Sequence, residues 1–324
     1  MKKSLLIFTC IGFSMKLFAQ GPGYDFSFHQ IFDNREYYSE YTVPGTIFGA
    51  RLNGAAVFEV DTVHSFYAGL NYLFEYGSPV LHNTPSVNLY YQYDTEHLDM
   101  AFGAFPRAGR IDLPAVFLND TLDYYRPNVE GASIALHGDR AGITGFIDWT
   151  GRVTETTRER FMAGLMGRME AGDLFAESAF LMVHDAKRSS LLDTIPIRDN
   201  GGFSLAAGYA MQQPERAMSV VVSTALIATY NRVRPGDFEW GRGLLTNIEF
   251  RHTIFEFNGV YYFGSPVDLF YGDPFYRSGH YGRMDFFVDP FRHPKIDSKI
   301  GWNLHFVPGE GVYHSQQLII DIRF

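Results

Sequence analysis

The chain has 324 residues, 30 of them Phe and 20 of them Tyr, with a mean hydropathy of −0.11 and a formal charge of −9. Its single cysteine, Cys10, excludes a disulfide framework and a cysteine-based zinc site, and the acidic balance argues against nucleic acid as a partner. No apolar run beyond the N-terminal segment approaches the length of a membrane helix. Abundant aromatic residues at low mean hydropathy are typical of a barrel with lipid outside and water inside.

The N-terminus has the layout of a secretory signal peptide. Lys2 and Lys3 form a basic start, residues 5–13 are apolar, and Ala19 provides a cleavage point before Gln20. We therefore predict a cleaved signal peptide over 1–19 and one domain over 20–324. Cleavage leaves 24 basic and 36 acidic residues, a formal charge of −12.

The remaining chain consists of segments, each about ten residues long, in which polarity alternates from one residue to the next. In 296–306, for example, Trp302 and Leu304 share one face while Asn303 and His305 share the other. We predict an all-β fold, a single antiparallel transmembrane β-barrel of about 16 strands, with 14 or 18 as alternatives. The predicted strands are 24–33, 45–60, 64–77, 84–94, 97–106, 128–138, 140–149, 158–170, 173–184, 199–213, 217–230, 239–250, 253–264, 281–290, 295–306 and 312–324.

The connections between these strands alternate in length. Short turns near residues 61–63, 95–96 and 171–172 are interleaved with longer connections such as 107–127 and 265–280. Outer-membrane barrels have short periplasmic turns and longer external loops, so both termini are predicted to be periplasmic.

The last strand ends the chain on an aromatic residue. Its apolar face carries Leu318, Ile320, Ile322 and Phe324, and this pattern resembles the assembly signal of Gram-negative outer-membrane β-barrels of the porin-like superfamily. The resemblance implies a location in the cell outer membrane and recognition by the barrel-assembly machinery. It also implies contact with outer-membrane lipid and lipopolysaccharide.

Loop 107–127 is the predicted functional segment. Residues 102–107 and 125–131 resemble the region of porins, including phosphate-selective ones, where a loop folds into the lumen and narrows it. Opposed charges across a narrow pore create a transverse field that orients small polar solutes; the alternative is that they merely solvate an exposed loop. The loop contains no lysine, so the anion selectivity of phosphate-selective porins is not inferred for this chain. The predicted constriction residues are Arg107, Arg110, Asp112, Asp120, Asp123, Tyr124, Tyr125 and Arg126.

A second predicted set faces the lumen from the strands. Charges of both signs favour a general polar pore; alternatively, they form ion pairs that stiffen the wall. These residues are Asp148, Arg168, Glu170, Glu249, Arg251, Glu256, Asp297, Lys299, Asp321 and Arg323.

Paired tyrosines recur along the chain. We expect Tyr90-Tyr91 and Tyr261-Tyr262 at the membrane interface, where an apolar ring with a polar tip is stable. A sugar-stacking surface is the alternative, and for Tyr124-Tyr125 in loop 107–127 both interpretations stay open.

We predict a porin-like channel for passive diffusion of small hydrophilic solutes, with no enzymatic activity, cofactor or metal. Neither G-x-S-x-G nor H-E-x-x-H occurs in the sequence. One alternative is an outer-membrane hydrolase with a site at the extracellular rim, to which His184-Asp185, His280 and His314-Ser315 could contribute; another is a plugged structural or surface-binding barrel. The resemblance to porins also implies a homotrimer, for which the small residues at 49–50 and 54–56 offer a flat contact face.

Overall fold

The structure, a computed structural model, describes residues 22–188 and 194–324. The predicted signal peptide therefore lies outside the described residues. Sixteen long antiparallel strands form one closed barrel, which confirms the predicted fold and strand number. Within the described ranges, no helix is long and apolar enough to cross a membrane.

The strands follow the predicted segments with differences of no more than about three residues at their ends, within the usual error of boundary prediction. They are β1 Pro22–Glu36, β2 Gly45–Glu59, β3 His64–Glu75, β4 Ser86–Asp94, β5 Leu98–Pro106, β6 Asn128–His137, β7 Ala141–Gly151, β8 Arg160–Ala171, β9 Leu174–Asp185, β10 Arg198–Gln213, β11 Met218–Val233, β12 Glu239–His252, β13 Phe255–Gly264, β14 His280–Val288, β15 Ile296–Val307 and β16 Gly311–Arg323.

Each strand pairs with its neighbours in the chain, and the first pairs with the last. In the closing pair, Phe28 of β1 lies opposite Ile322 of β16, and the register runs from Ser27 to Glu36. A two-residue strand, Arg292–His293, extends the connection between β14 and β15. Because the sheet closes on itself, each of the sixteen described strands is paired on both sides, as a membrane-spanning sheet requires.

Alternation assigns each strand residue to the lumen or to lipid. On β11, Ala225 and Ile227 are buried inside the barrel, whereas Val222 and Leu226 are exposed on its outer surface. Directly opposed residues of paired strands share a face, so the strand register extends the same assignment from β11 to its neighbours and on to the other strands. The outer face is rich in exposed apolar side chains, as expected where the solvent is hydrocarbon.

Two long connections at one end of the barrel fold into the lumen. Loop 107–127 contains a short helix, α1 (Asp120–Tyr125), whose Leu122 amide donates to the side chain of Asn119. Loop 265–279 contains a 3₁₀ turn, Pro274–Ser278, capped by Asp273. We call this end external and the end with short turns periplasmic, following the usual asymmetry of outer-membrane barrels.

Candidate functional site

Loop 107–127 crosses the lumen instead of lying against one wall. Val116 and Phe117 are fully buried, in one apolar cluster with Leu181 of β9 and Ile227 of β11. A Cβ added to Gly202 of β10 would lie 2.4 Å from Cε1 of Phe117, so the ring rests directly on that glycine. The loop therefore spans the barrel from β5 and β6 to the opposite strands.

The two inward loops are bonded to each other through their backbones. The Asn119 amide donates to the Tyr271 carbonyl at 2.7 Å, and the Asp273 amide donates to the Ala115 carbonyl at 2.9 Å. Such bonds satisfy backbone groups that water would otherwise have to solvate inside the lumen. Loops 107–127 and 265–279 thus form one unit.

Wall residues hold both ends of loop 107–127. At its start, Arg107 pairs with Asp148 of β7, which also accepts a bond from the Glu130 amide. At its end, Arg51 of β2 donates to the carbonyl of Tyr124. The charged wall residues therefore fix the position of α1.

An external cavity of about 410 Å³ lies between the two loops and the wall. Four aromatic residues, an Asn, two Thr and several charges line it. Its lining includes Arg35, Tyr125, Asp120, Arg126, Asp273 and Arg283.

Asp120 of α1 sits between two arginines of the wall in this cavity. Arg35 of β1 lies 3.6 Å from it and Arg283 of β14 lies 4.0 Å from it. Behind them, Arg35 also pairs with Asp33 at 2.7 Å and Arg283 pairs with Asp285 at 2.8 Å. Asp120 is the member of this ladder with a largely exposed carboxylate, so it is the acid that a solute in the cavity meets.

Asp273 of loop 265–279 is buried beside the same cavity. Desolvation raises the pKa of its carboxyl to about 6, although Arg283 and the Phe275 amide favour the charged form. A buried acid that takes up a proton just below neutral pH makes the charge of the external cavity pH-dependent.

A larger internal cavity of about 1060 Å³ lies on the periplasmic side of loop 107–127. Arg110, Asp112 and Asp123 reach it from the loop, and Glu249 of β12 reaches it from the wall. Arg168 also lines this cavity and bonds to Glu170 at 2.7 Å and to Glu177. The two inward loops and the apolar cluster around Phe117 lie between the two cavities, which have no lining residue in common among those that the structure describes.

The predicted constriction residues are thus divided between three environments. Asp120, Tyr125 and Arg126 line the external cavity, while Arg110, Asp112 and Asp123 line the internal one. Arg107 and Tyr124 are buried in protein. The prediction placed opposed charges across one opening, whereas the structure places them on two sides of a partition.

The remaining predicted lumen residues lie on the inner face, and four of them form ion pairs. Glu256 of β13 accepts from Arg251 at 3.0 Å and from Lys299 at 3.1 Å. Asp321 bonds to His29 at 2.6 Å and lies opposite Asp297, and Arg323 follows near the periplasmic end.

The residues considered for a hydrolase do not converge. His184 and Asp185 are neighbours on β9 and therefore face opposite sides: His184 bonds to Asp199 on the outer surface, and Asp185 pairs with Arg160 in the lumen. His314 and Ser315 are divided in the same way. Residues 22–188 and 194–324 contain no group of three His, Cys, Asp or Glu placed to hold a metal ion.

A second polar cluster, not predicted from the sequence, faces lipid near the external end of β1, β2 and β16. Thr46 donates to Asn34 at 3.0 Å, Asn34 donates to Gln316 at 2.9 Å, and Gln316 bonds to the His314 ring at 2.7 Å. Glu36 also accepts from Asn34, at 3.1 Å. Beyond the apolar part of β1 and β16, polar residues continue at alternate positions of the sequence, and this pattern could have indicated the cluster.

Solved structures of outer-membrane proteins share this fold at low identity. A loop L8 deletion mutant of OmpT of Vibrio cholerae is 9% identical, covers 94% of this chain and 99% of its own, and has a TM-score of 0.61. OmpT in a trimer form is 10% identical, with coverage of 94% and 100% and a TM-score of 0.57. OccAB1 of Acinetobacter baumannii is 8% identical, with coverage of 95% and 97% and a TM-score of 0.58. These similarities show the fold, a closed β-barrel of the kind found in outer-membrane proteins.

Sequence comparison adds a family. No curated protein matches the chain. The family model described as lipid A 3'-O-deacylase-type matches residues 24–293, which is most of the barrel. The chain belongs to the lipid A 3'-O-deacylase-type family.

Proposed function

We propose that this protein is an outer-membrane channel for small hydrophilic solutes, narrowed and gated by loop 107–127. The observation that carries the proposal is the position of this loop, which lies inside the barrel between two cavities lined by charged side chains. A barrel of about sixteen strands has room for an aqueous lumen, unlike barrels of about eight strands, whose interior is filled by side chains.

Passage would require a shift of loops 107–127 and 265–279 relative to the wall. A solute entering from outside meets Asp120 between Arg35 and Arg283, where groups of both signs can replace its hydration shell. It then passes the apolar contacts of Phe117 and reaches the charges of the internal cavity. The loop contacts would set the rate, and the acids would set the preference among solutes.

Liposome swelling tests this proposal. Vesicles containing the refolded mature chain are diluted into uncharged sugars of increasing size, and swelling rates are compared with those of empty vesicles. We expect uptake of the smallest sugars with a sharp decline with size, because the cavities are separated by packed side chains. Swelling no faster than in empty vesicles, from barrels shown to be folded by heat-modifiable electrophoretic mobility, would count against a channel.

Two related proposals concern the location and the assembly of the barrel. The barrel would reside in the outer membrane after removal of residues 1–19, and it would assemble there as a homotrimer, the form in which OmpT of V. cholerae has been described. Sedimentation of the refolded protein in detergent distinguishes a trimer from a monomer.

A second candidate function is hydrolysis of the 3'-O-acyl ester of lipid A. Two observations favour it: the family to which the chain belongs and the lipid-facing cluster around Asn34. This cluster lies at the external end of the barrel, where the outer leaflet presents its ester groups. An amide such as Asn34 or Gln316 could stabilise a developing oxyanion.

The cluster nevertheless has no nucleophile bonded to a base. Thr46 donates to the amide oxygen of Asn34, which does not accept a proton in the way that histidine does. Among the residues that the structure describes, no serine or threonine hydroxyl bonds to a histidine ring. Acyl transfer would therefore require a rearrangement on lipid binding, and for this reason the channel is the first proposal.

Mass spectrometry of lipid A decides between the two functions. The refolded barrel is incubated with lipid A in mixed micelles, and loss of the 3'-O-acyl chain is measured for the wild type and for Asn34→Ala and His314→Ala. Acyl release that both variants abolish would establish the enzyme. Intact lipid after prolonged incubation, alongside sugar uptake by the same preparation, would support the channel alone.

A further inference from the structure

We propose that the outer surface of β11, β12 and the loop between them binds the phosphate groups of a phosphorylated glycolipid of the outer leaflet. The surface, here called the arginine face, consists of Arg232, Arg234 and Arg242 together with Phe238 and Trp240. The inference depends on insertion of the barrel in the outer membrane and is independent of conduction or hydrolysis.

The register places these arginines towards lipid. Trp240 lies opposite Tyr230, and the two rings are 5.8 Å apart on the outer surface. Arg242 follows Trp240 by two residues on β12 and therefore shares its face. Arg232 follows Tyr230 by two residues on β11, and its guanidinium lies 5.0 Å from the Phe238 ring.

These charges lie at the external membrane boundary. Towards the membrane centre, the outward row continues with Leu226 opposite Leu244, both exposed and apolar. The hydrogen-bonded pair Thr224 and Thr246 follows, and then Val222 opposite Ile248, again exposed and apolar. An arginine facing lipid is strongly unfavourable at the midplane of the bilayer and costs little near the interface. A boundary position within an aromatic belt is thus the place where an outward arginine can persist and meet headgroups.

Hydrogen bonds hold Arg232 and Arg234 of this face in position. Arg232 donates from Nε to the Gly236 carbonyl at 2.9 Å, which leaves the end of the guanidinium for a ligand. Within the part of the chain that the structure describes, neither Arg232 nor Arg242 pairs with an acid. Arg234 does pair, with Asp199 at 2.8 Å, and Asp199 in turn bonds to His184 at 2.5 Å. Three arginines against the two acids Asp199 and Asp237 leave this region with a net positive charge in a chain that is acidic overall.

The positive charge of the arginine face favours a ligand that carries phosphate groups. Arginine presents several donors in a planar fork that matches phosphate oxygens, and exposed aromatic rings pack beside acyl chains. A zwitterionic lipid would offer its phosphate only beside its own cation. The lipid-facing cluster around Asn34 lies elsewhere, because β13, β14 and β15 separate β12 from β16.

Native mass spectrometry of the refolded mature barrel in detergent tests the proposal. The probes are bis-phosphorylated lipid A, the same lipid after enzymatic removal of its phosphates, and inorganic phosphate as a competitor. The test variant is Arg232→Gln/Arg242→Gln. The control is Arg140→Gln/Arg216→Gln, which removes the same charge from periplasmic turns. Heat-modifiable mobility verifies that every variant is folded.

We expect the test variant to lose about tenfold or more in affinity for bis-phosphorylated lipid A, because each cation near a charged headgroup contributes measurably to binding. The control should bind like the wild type, and the dephosphorylated lipid should bind weakly to all three proteins. Equal binding of both lipids, or an equal loss in test and control variants, would overturn the proposal. Retention of inorganic phosphate as tight as that of the lipid would reassign the face to free anions and would also overturn it.

Discussion

Arg107 and Asp148 form an ion pair of 2.6 Å in which the two side chains are only 1% and 0% exposed. The pair joins the start of loop 107–127 to β7, at the point where the chain leaves the wall for the lumen. A buried pair repays its desolvation only while both partners remain, so removal of one leaves a buried charge without compensation.

The first prediction follows from this pair. Arg107→Gln and Asp148→Asn should each lower the free energy of unfolding by up to about 3–5 kcal/mol, since each leaves the other buried charge without its nearest partner. The charges that remain are farther away: Asp123 at 3.4 Å from Arg107 and Arg126 at 3.9 Å from Asp148. The urea midpoint of tryptophan fluorescence in vesicles measures the change. The double variant Arg107→Met/Asp148→Leu is the control and should recover most of the loss. Single variants with wild-type midpoints would show that the pair does not hold the loop.

The second prediction concerns the apolar contacts that close the lumen. Phe117→Ala should raise conductance and the size limit for sugars, because deletion of a buried ring of this kind removes about 3–5 kcal/mol of packing. The matched control is Phe203→Ala, which removes a lipid-facing ring from β10 and should leave the pore unchanged. Equal effects of the two variants would show that the contacts of Phe117 do not control conductance.

The third prediction uses the glycine under that ring. In Gly202→Ala the new Cβ would lie 2.4 Å from Phe117 and 3.0 Å from the Ala228 carbonyl oxygen, so the loop must move. Increased protease sensitivity of loop 107–127 should follow. Gly45→Ala, where nothing lies within 4 Å of the added atom, is the control. Combining Gly202→Ala with Phe117→Ala should give less than the sum of the two effects, because the clash between the new Cβ and the Phe117 ring is then absent.

The fourth prediction concerns charge selectivity. Asp120→Asn should lower the preference for cations over anions, measured as a reversal potential in a KCl gradient, because Arg35 and Arg283 would then dominate the external cavity. Asp237→Asn, in an external loop away from the cavity, removes the same charge and should change little. An unchanged reversal potential in Asp120→Asn would place selectivity elsewhere in the lumen.

The fifth prediction is a pH dependence at Asp273. Its folded-state pKa of about 6 is above the ordinary value of 3.8, so the native state binds this proton more tightly than the unfolded state. The associated stability is present below pH 3.8 and is lost as pH rises through about 6. Asp273→Asn should therefore stabilise the barrel at pH 8 by up to about 3 kcal/mol and should give little gain at pH 4. Urea midpoints at both pH values test this, and a gain independent of pH would contradict it.

Most of the architecture followed from alternation, because each barrel strand has one face in lipid and one in water. The paired tyrosines show how the same rule corrects an interpretation. Tyr90 is buried in the lumen and stacks on Tyr67 at 4.3 Å, whereas its neighbour Tyr91 faces outwards against Phe66. Consecutive strand residues point in opposite directions, so a Tyr-Tyr pair cannot lie wholly in an interfacial belt.

The candidate site was only partly predictable. Length, charge and resemblance to porins predict that loop 107–127 is functional. For its partner loop 265–279, the sequence pattern predicts only an ordinary external loop. Its apolar residues Val267, Leu269 and Phe275 are buried in the lumen cluster, and such residues in a supposedly exposed loop were the available signal. Contacts between distant segments, such as Asp120 with Arg283, depend on how both loops fold, which local patterns do not specify.

Single-channel conductance of the refolded mature barrel in a planar bilayer tests the central claim most directly. We expect small, stable steps for the wild type, larger steps for Phe117→Ala and wild-type steps for Phe203→Ala. Absence of steps from folded wild-type and Phe117→Ala barrels alike would contradict a channel gated by loop 107–127 and would favour action on outer-leaflet lipid instead.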